Sequence, residues 1–186
     1  MAGRDKKIFI GADSLLLDSF RLASKVWKDG YVPDYIIAIW RGGTPVGIVI
    51  HEFFRYKGYD PYHTAIKTQS YSGMRRDGKV EVKGIEHVID IVNADDRMLV
   101  VDDVFDTGLT VQEILKTVRK KARRNAPEMR VATIYYKPAK NRTKIVPDYY
   151  LRVTDDWLVF PHELDGLSGD ELDRKGRKLR EILRGK

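Results

Sequence analysis

Three short apolar runs, separated by segments of helical character, constrain the fold more than any other feature of this sequence. They cover residues 35–40, 97–101 and 131–136, and their almost unbroken apolar character predicts strands that are buried on both faces. Amphipathic segments at about 44–56 and 109–124 lie between them and predict helices. Strands that alternate with helices predict an α/β fold with a mainly parallel central sheet flanked by helices.

Weaker patterns predict an additional helix near the start of the chain. Asp13 is placed to cap a helix that runs to about Asp29, and Gly30 is placed to end it. The spacing of its apolar residues predicts a buried face made of Leu16, Phe20, Ala23 and Trp27.

The rest of the chain adds short strands, one long loop and a C-terminal helix. Short strands are predicted at 63–66 and about 149–153. The polar segment 69–84 contains three glycines and predicts a long mobile loop. Ser168 and Glu171 have the spacing of a capping box ahead of a basic helix.

Length and composition limit the class of protein. A chain of 186 residues can bury a sizeable core, and we expect a single domain over residues 1–186. The absence of Cys excludes disulfides, thiolate metal sites and a Cys nucleophile. No apolar stretch is long enough for a signal-peptide core or a membrane span, so we expect a soluble, cytoplasmic protein.

The charge balance leaves three interpretations open. A formal net charge of +7 fits nucleic-acid binding, a site for a polyanionic small molecule, or a basic surface that is merely solvated. For the two most basic runs, 116–124 and 174–186, we favour the solvated surface because both have helical character.

Polar residues occur at the end of each of the three predicted strands. Arg41 follows the first strand, the acidic stretch VVDDVFDTGLT (residues 100–110) spans the end of the second, and Lys137 follows the third. The carboxyl ends of parallel strands share one edge of a sheet, and ligands of such sheets bind beyond that edge. The sequence therefore predicts one site that contains all three features.

The acidic stretch has the chemistry of a site for a phosphorylated sugar. Residues 106–110 open a predicted helix, where free N–H groups, two Thr hydroxyls and Gly108 favour a phosphate. Asp102 and Asp103, at a strand end that we expect to face solvent, would repel phosphate but can accept hydrogen bonds from vicinal hydroxyls. A ribose 5-phosphate carries both groups. The alternative is an acidic helix cap without a ligand; a Walker A loop is excluded because no Gly-Lys-Ser/Thr follows.

This stretch resembles the phosphoribosyl-pyrophosphate signature of the type I phosphoribosyltransferases. The order of further motifs extends the resemblance over residues 35–163: WRGGTPVG (40–47), QSY (69–71), YKPA (136–139) and DDWLVFPHE (155–163). Within the family the chain is most like the 6-oxopurine branch, which includes the bacterial xanthine-guanine and hypoxanthine phosphoribosyltransferases. The resemblance implies a type I phosphoribosyltransferase fold, with a small hood region formed by terminal segments and a base-binding hood segment at about 137–167.

The resemblance also implies an activity. Such enzymes transfer the 5-phosphoribosyl group from phosphoribosyl pyrophosphate to a purine base, releasing pyrophosphate with the help of Mg²⁺. In this branch the base is hypoxanthine, guanine or xanthine and the role is purine salvage. We also expect a homo-oligomer, either a dimer or a tetramer. The alternative is a regulatory homologue that binds nucleotide and nucleic acid, although nucleic-acid binding is the less favoured interpretation.

Residues of the phosphoribosyl-pyrophosphate site follow from the matched motifs. By resemblance, Asp102 and Asp103 hold the ribose hydroxyls, directly or through Mg²⁺. The 5-phosphate is held by the loop that comprises Asp106, Thr107, Gly108, Leu109 and Thr110. Arg41 and Gly42 hold pyrophosphate, and relatives often have a cis peptide where Trp40 joins Arg41.

The implied catalytic and base-binding residues lie in the other motifs. Asp106 is a candidate general base or hydrogen-bond acceptor near the purine N7, and Ser70 and Tyr71 match a pair in the family's mobile loop, which excludes water on closing. Either Arg75 or Arg76 could meet the pyrophosphate.

The resemblance also implies four residues that contact the purine base or the Mg²⁺-bound pyrophosphate. Lys137 is placed to reach the exocyclic oxygen of the purine, with Trp157 stacking on the ring beside Leu158. Glu163 stands where related enzymes have an Asp that helps to bind either Mg²⁺–pyrophosphate or the base. It is therefore a candidate third contact to Mg²⁺, after Asp102 and Asp103, or a contact to the base.

Overall fold

The computed structural model describes residues 7–70 and 80–185. It divides the chain into two compact units, one within Met1–Leu15 and Asp156–Lys186 and the other spanning Leu16–Asp155. Among the described residues, no helix combines the length and apolar character that a membrane crossing requires.

The larger unit is built on a six-stranded sheet. Its strands are β2 (Tyr35–Trp40), β3 (Tyr62–Ser70), β4 (Val80–Lys83), β5 (Arg97–Phe105), β6 (Glu128–Tyr136) and β7 (Tyr149–Val153). They occur in the spatial order β4-β3-β2-β5-β6-β7. Every neighbouring pair is parallel except β3 and β4, which are antiparallel. The predicted α/β fold with a mainly parallel sheet is confirmed.

Helices of the larger unit connect these strands. They are α1 (Ala12–Lys28, which starts in the terminal unit), α2 (Gly43–Tyr56), α3 (Glu86–Ile89) and α4 (Leu109–Ala122), with short 3-10 turns at Arg123–Asn125 and Pro138–Lys140. Helix α2 lies against β2 and β5, and α4 lies against β4 and α3. A buried cluster of residues such as Ile37, Val100 and Ile114 joins the sheet to α4.

The terminal unit holds a small parallel sheet and two helices. Strand β1 (Lys7–Phe9) pairs with β8 (Trp157–Val159). Helices α5 (Gly169–Lys175) and α6 (Arg177–Leu183) follow, and the capping box predicted at Ser168 and Glu171 is present at the start of α5.

The predicted buried face of α1 is wrong for Leu16 and Phe20, whereas Ala23 is buried as predicted and Trp27 is partly buried. Leu16 and Phe20 are 49% and 41% exposed, and the buried residues of the helix are Leu15, Asp18, Ser19, Leu22, Ala23 and Val26. The cause is Asp18, whose carboxylate accepts a hydrogen bond from Arg152 of β7 at 2.9 Å and another from Arg21 at 2.8 Å. A paired carboxylate can be buried, whereas the hydrophobic pattern assumes that every acid faces water.

The predicted loop at 69–84 is shorter than the sequence indicated. Strand β3 continues to Ser70, and Val80–Lys83 forms β4, which pairs with Lys67–Ser70 of β3. Alternating apolar residues at Val80 and Val82 explain the strand. The remaining residues, 71–79, include Tyr71, Arg75 and Arg76 and lie outside the described part of the chain.

Candidate active site

Three neighbouring parallel strands bring the predicted site residues to one edge of the sheet. Strand β5 lies between β2 and β6. Arg41 follows the last residue of β2, Asp106 follows the last residue of β5, and Lys137 follows the last residue of β6. The sequence prediction of a shared edge is therefore confirmed for these residues.

The Arg41 turn packs directly on β5. The Trp40–Arg41 peptide is cis, as the family resemblance implied. A Cβ atom at Gly42 would lie 2.1 Å from Asp103 Oδ2, and one at Gly43 would lie 2.4 Å from the Val101 carbonyl oxygen. Only glycine permits such an approach, so the two glycines set the distance between this turn and the acidic motif.

Asp102 and Asp103 are not at a solvent-facing strand end, which corrects the sequence expectation. Strand β5 continues through both residues to Phe105; Asp103 is 6% exposed and Asp102 is partly buried. The Asp103 N–H donates to Asp102 Oδ1 at 3.0 Å. Burial, and then the neighbouring charge of Asp103, raise the pKa of the Asp102 carboxyl well above its ordinary value. The prediction failed because the strand is four residues longer than the apolar run of the sequence.

The phosphate-type loop has the predicted position at the start of α4. Gly108 adopts φ 74° and ψ −7°, and a Cβ there would lie 2.7 Å from both the Phe105 ring and Thr143 Oγ1. Helix α4 begins at Leu109, whose N–H lies 3.4 Å from Thr107 Oγ1. The first turn of α4 thus presents its amides and the positive end of its dipole beside Asp106.

Sequence reasoning missed the segment that supports this loop. The Arg142 N–H donates to the Thr107 carbonyl oxygen at 2.9 Å, and Thr143 contacts the position of a Gly108 Cβ. Asn141 fixes Thr143 by accepting from its N–H at 2.8 Å and from its hydroxyl at 2.9 Å. Only the sequence Asn-x-Thr, typical of a side-chain turn, could have indicated this role, because Thr107 and Gly108 lie 35 residues before Arg142 and Thr143 respectively.

Lys137 is the most deeply buried cation of the site. It is 5% exposed, and its Nζ lies 3.5 Å from Asp106 Oδ2. The backbone N–H of Lys137 donates to the Phe105 carbonyl oxygen at 2.9 Å, and this hydrogen bond joins the ends of β5 and β6. The pair leaves a donor-only ammonium and an acceptor-only carboxylate side by side at the edge of the sheet.

The family of this chain follows from a direct comparison. Residues 12–165 match the family described as phosphoribosyl transferase domain. The chain belongs to this family. A comparison with curated proteins gives no significant match. The predicted resemblance to phosphoribosyltransferases is confirmed.

Solved structures that share the fold include two phosphoribosyltransferases and a protein of unassigned function. A purine phosphoribosyltransferase from Pyrococcus horikoshii is 29% identical with a TM-score of 0.70, and the match covers 87% of this chain and 97% of that chain. A hypothetical protein from Neisseria gonorrhoeae with bound ppGpp is 25% identical with a TM-score of 0.71, covering 94% and 98%. The Helicobacter pylori xanthine-guanine-hypoxanthine phosphoribosyltransferase is 20% identical with a TM-score of 0.69, covering 86% and 96%, and shows likeness of fold alone.

Other predicted site residues of this chain lie in the terminal unit or at the edge of the described residues. Trp157 is 53% exposed in β8, Leu158 is buried, and the Glu163 carboxylate accepts from the Phe160 N–H at 3.0 Å. Ser70 is the last residue of β3. The predicted meeting of Trp157 and Leu158 with Lys137 around a base stays a prediction, as do the roles of Ser70 and Glu163.

Proposed function

We propose that this protein transfers the 5-phosphoribosyl group from phosphoribosyl pyrophosphate to a 6-oxopurine, releasing pyrophosphate, in purine salvage. The observation that carries the proposal is the buried Lys137 beside Asp106, at the same sheet edge as the loop 106–110. A phosphoribosyl-pyrophosphate site requires only the acids, the loop and the Arg41 turn. Lys137 adds a buried hydrogen-bond donor whose natural partner is an oxygen acceptor on the base.

The chain's own residues bind and orient phosphoribosyl pyrophosphate. The amides at the start of α4, with the hydroxyls of Thr107 and Thr110, would bind the 5-phosphate. Asp102 and Asp103 would accept hydrogen bonds from the ribose hydroxyls. Arg41 and the Gly42 amide would bind pyrophosphate, and the packing of Gly42 on Asp103 would keep the two ends of the substrate at a fixed separation.

The acidic pair also fits Mg²⁺. Carboxylate oxygens are the ligands this ion prefers, and it usually takes one or two of them together with water and substrate phosphates. Within residues 7–70 and 80–185, no three His, Asp or Glu side chains converge into a metal cluster, which is consistent with a sparse protein contribution. When bound, Mg²⁺ would neutralise the pyrophosphate as it leaves. Asp102 and Asp103 are the proposed contacts, and Glu163 remains a predicted one.

Asp106 and Lys137 would recognise the base together. The carboxylate would accept the proton at the purine N7, and the ammonium would donate to the oxygen at C6. Adenine carries an amino group at that position, so a donor would face a donor. Sites built for one hydrogen-bonding group reject the analogue that lacks it, and we expect discrimination against adenine on the order of 10²–10³.

A substrate panel tests the proposal. Hypoxanthine, guanine, xanthine and adenine are each incubated with Mg²⁺ and phosphoribosyl pyrophosphate, and nucleotide and pyrophosphate are measured. We expect turnover of at least one 6-oxopurine and little of adenine. Adenine as the best substrate, or no turnover of any purine, would contradict the proposal.

A matched pair of lysine variants tests the role of Lys137. Lys137→Ala should lower kcat/KM for the 6-oxopurine and reduce its advantage over adenine. Lys144→Ala, which removes an exposed lysine from the same region of the chain, should leave the preference unchanged. An unchanged base preference in Lys137→Ala would remove the assignment.

A second candidate function is regulatory nucleotide binding. It is favoured by the similarity to the Neisseria gonorrhoeae protein with bound ppGpp, which spans 94% of this chain. Calorimetry with ppGpp, run beside the substrate panel, separates the two. Tight ppGpp binding together with no purine turnover would favour the regulatory function.

A further inference from the structure

The C-terminal helices are the part of the chain that the proposed function leaves unexplained. Helix α5 ends at Lys175, and the ammonium group of this lysine contacts the turn that follows β8. It donates to the carbonyl oxygens of Phe160 at 2.6 Å, Pro161 at 3.1 Å, and Glu163. Lysine has three N–H groups, so three carbonyl acceptors satisfy it completely.

The turn held by Lys175 is also closed from within. The Glu163 N–H donates to the Phe160 carbonyl oxygen at 3.1 Å, and the Phe160 N–H donates to Glu163 Oε2 at 3.0 Å. Lys175 therefore binds a turn whose two end residues, Phe160 and Glu163, are already hydrogen-bonded to each other. This turn starts directly after Val159, the last residue of β8, which also contains Trp157 and Leu158.

A second contact ties the same helix to the strand that pairs with β8. Glu171 of α5 forms an ion pair with Lys7 Nζ at 2.7 Å. Lys7 is the register partner of Trp157, and its Nζ lies 6.0 Å from the centre of the Trp157 ring. Arg174 lies over the Phe9 ring at 4.5 Å. Helix α5 thus contacts β1 on one side and the turn after β8 on the other.

We propose that Lys175 is a positioning residue for base binding: its ammonium fixes the turn 160–163 and thereby the orientation of Trp157 and Leu158. This inference rests on the proposed function and on the predicted roles of Trp157 and Leu158 as base-binding residues. Lys175 touches no substrate and acts only through the three carbonyl groups.

The experiment compares Lys175→Met with Lys178→Met, which removes an exposed lysine of α6. Lys175→Met keeps the length and apolar stem of the side chain but removes its donors. We expect roughly a 10-fold rise in KM for the purine, with less than about a twofold change in KM for phosphoribosyl pyrophosphate. Lys178→Met should have the KM values of the unsubstituted protein. Lys175→Arg keeps N–H donors at this position, so its KM for the purine should rise less than that of Lys175→Met.

Equal rises in both KM values, or none, would overturn the proposal, because a general loss of stability would affect both substrates. If Lys175→Met does not fold, Lys175→Arg and Glu171→Gln take its place in the same comparison.

Hydrogen exchange separates failure of this inference from failure of the proposed function. In the ligand-free protein the amides of Phe160 and Glu163 should exchange faster in Lys175→Met than in Lys178→Met. If the protein turns over no purine, faster exchange still supports the fixing of turn 160–163 by Lys175, and only the assignment of a purine substrate fails. Identical exchange in the two variants would show that Lys175 does not fix the turn 160–163, even if purines are substrates.

Discussion

At the scale of single residues, the acidic motif lowers the stability of the fold, and the proposed chemistry explains why the motif is present. Asp102 and Asp103 are adjacent, one partly buried and one almost fully buried, and their charges repel each other. Strongly perturbed carboxyl groups at a sheet edge occur more often in functional sites than in purely structural positions. The motif therefore predicts opposite effects of one substitution on stability and on activity.

Asp102→Asn should stabilise the ligand-free protein at neutral pH. Burial and the charge of Asp103 raise the pKa of Asp102, so the folded state holds its proton more tightly than the unfolded state. The unfolding free energy contributed by this group therefore falls as pH rises above about 4, the ordinary carboxyl pKa, and stays low above the raised pKa. Asn cannot ionise, so the variant should match the unsubstituted protein near pH 3 and exceed it at pH 7.

The same variant should lose activity by at least about 100-fold, because the ribose would lose a charged acceptor that positions it. Urea unfolding between pH 3 and pH 8, together with turnover, checks both effects. Asp95→Asn, at an exposed acid, is the control and should change neither quantity. Normal turnover by Asp102→Asn would show that this residue does not hold the ribose.

At the scale of elements, the site depends on how each strand passes into the following turn. Gly108 combines a φ of 74° with close contacts to the Phe105 ring and Thr143 Oγ1. We expect Gly108→Ala to lower the unfolding free energy by roughly 1–3 kcal/mol, because a side chain is strained in that conformation and lacks space. It should also raise KM for phosphoribosyl pyrophosphate, since the amides of α4 would move.

A glycine elsewhere in the chain provides the control for this prediction. Gly11 has ordinary backbone angles, and a Cβ there would meet nothing within 4 Å. Gly11→Ala should therefore be neutral, or stabilise by up to about 1 kcal/mol through the unfolded state. Thermal unfolding and steady-state kinetics check both variants. Equal stability of the two Ala variants would show that the Gly108 turn is not strained.

The elements that the sequence predicted well are those whose own residues determine them. Strand β2 has its predicted bounds because a continuous apolar run can only be buried on both faces. Strands β1 and β8 were missed because three residues show no periodicity, and their pairing joins segments about 150 residues apart. The burial of Leu16 and Phe20 in α1 was mispredicted because Asp18 is buried instead, and its pairing with Arg152 is a contact between distant segments.

The same distinction applies to the candidate site. The order of Arg41, the acidic motif and Lys137 along the sheet edge follows from strand topology and could be predicted. The burial of Asp103 depends on Gly42 packing against it, which no local pattern reveals. The contact of Lys137 with Asp106 joins residues that are 31 positions apart, so it needed the structure.

At the scale of the whole molecule, stability also depends on a buried histidine, His51, that lies about 50 residues before the acidic motif in the sequence. Within the larger unit, α2, β2 and β3 enclose a cavity of about 370 Å³ whose lining includes His51, His63 and Arg55. His51 is 7% exposed, and among the described residues its Nε2 has no hydrogen-bond partner. Its Nε2 lies 3.6 Å from Asp60, and its Nδ1 lies 3.7 Å from Glu52.

We expect His51 to destabilise the protein in mild acid. Burial, followed by the charge of nearby His63, lowers the pKa of His51 below its ordinary value of 6.5, and the acids at positions 52 and 60 only partly oppose this. Above pH 6.5 both states are neutral and the group contributes nothing. Below it, the unfolded chain binds a proton that the folded protein resists, so the unfolding free energy falls by at most about 1.4 kcal/mol per pH unit.

His51→Gln should therefore flatten the decline in stability between pH 6.5 and pH 5. The amide cannot take up a proton, so the variant loses this group's pH dependence while other groups keep theirs. His87→Gln removes an exposed histidine and should retain the original slope. Urea unfolding of the three proteins at half-unit pH intervals measures the slopes. If the His51 and His87 variants decline in parallel, the buried imidazole is protonated as readily in the folded protein as in the unfolded chain, and another group causes the acid sensitivity.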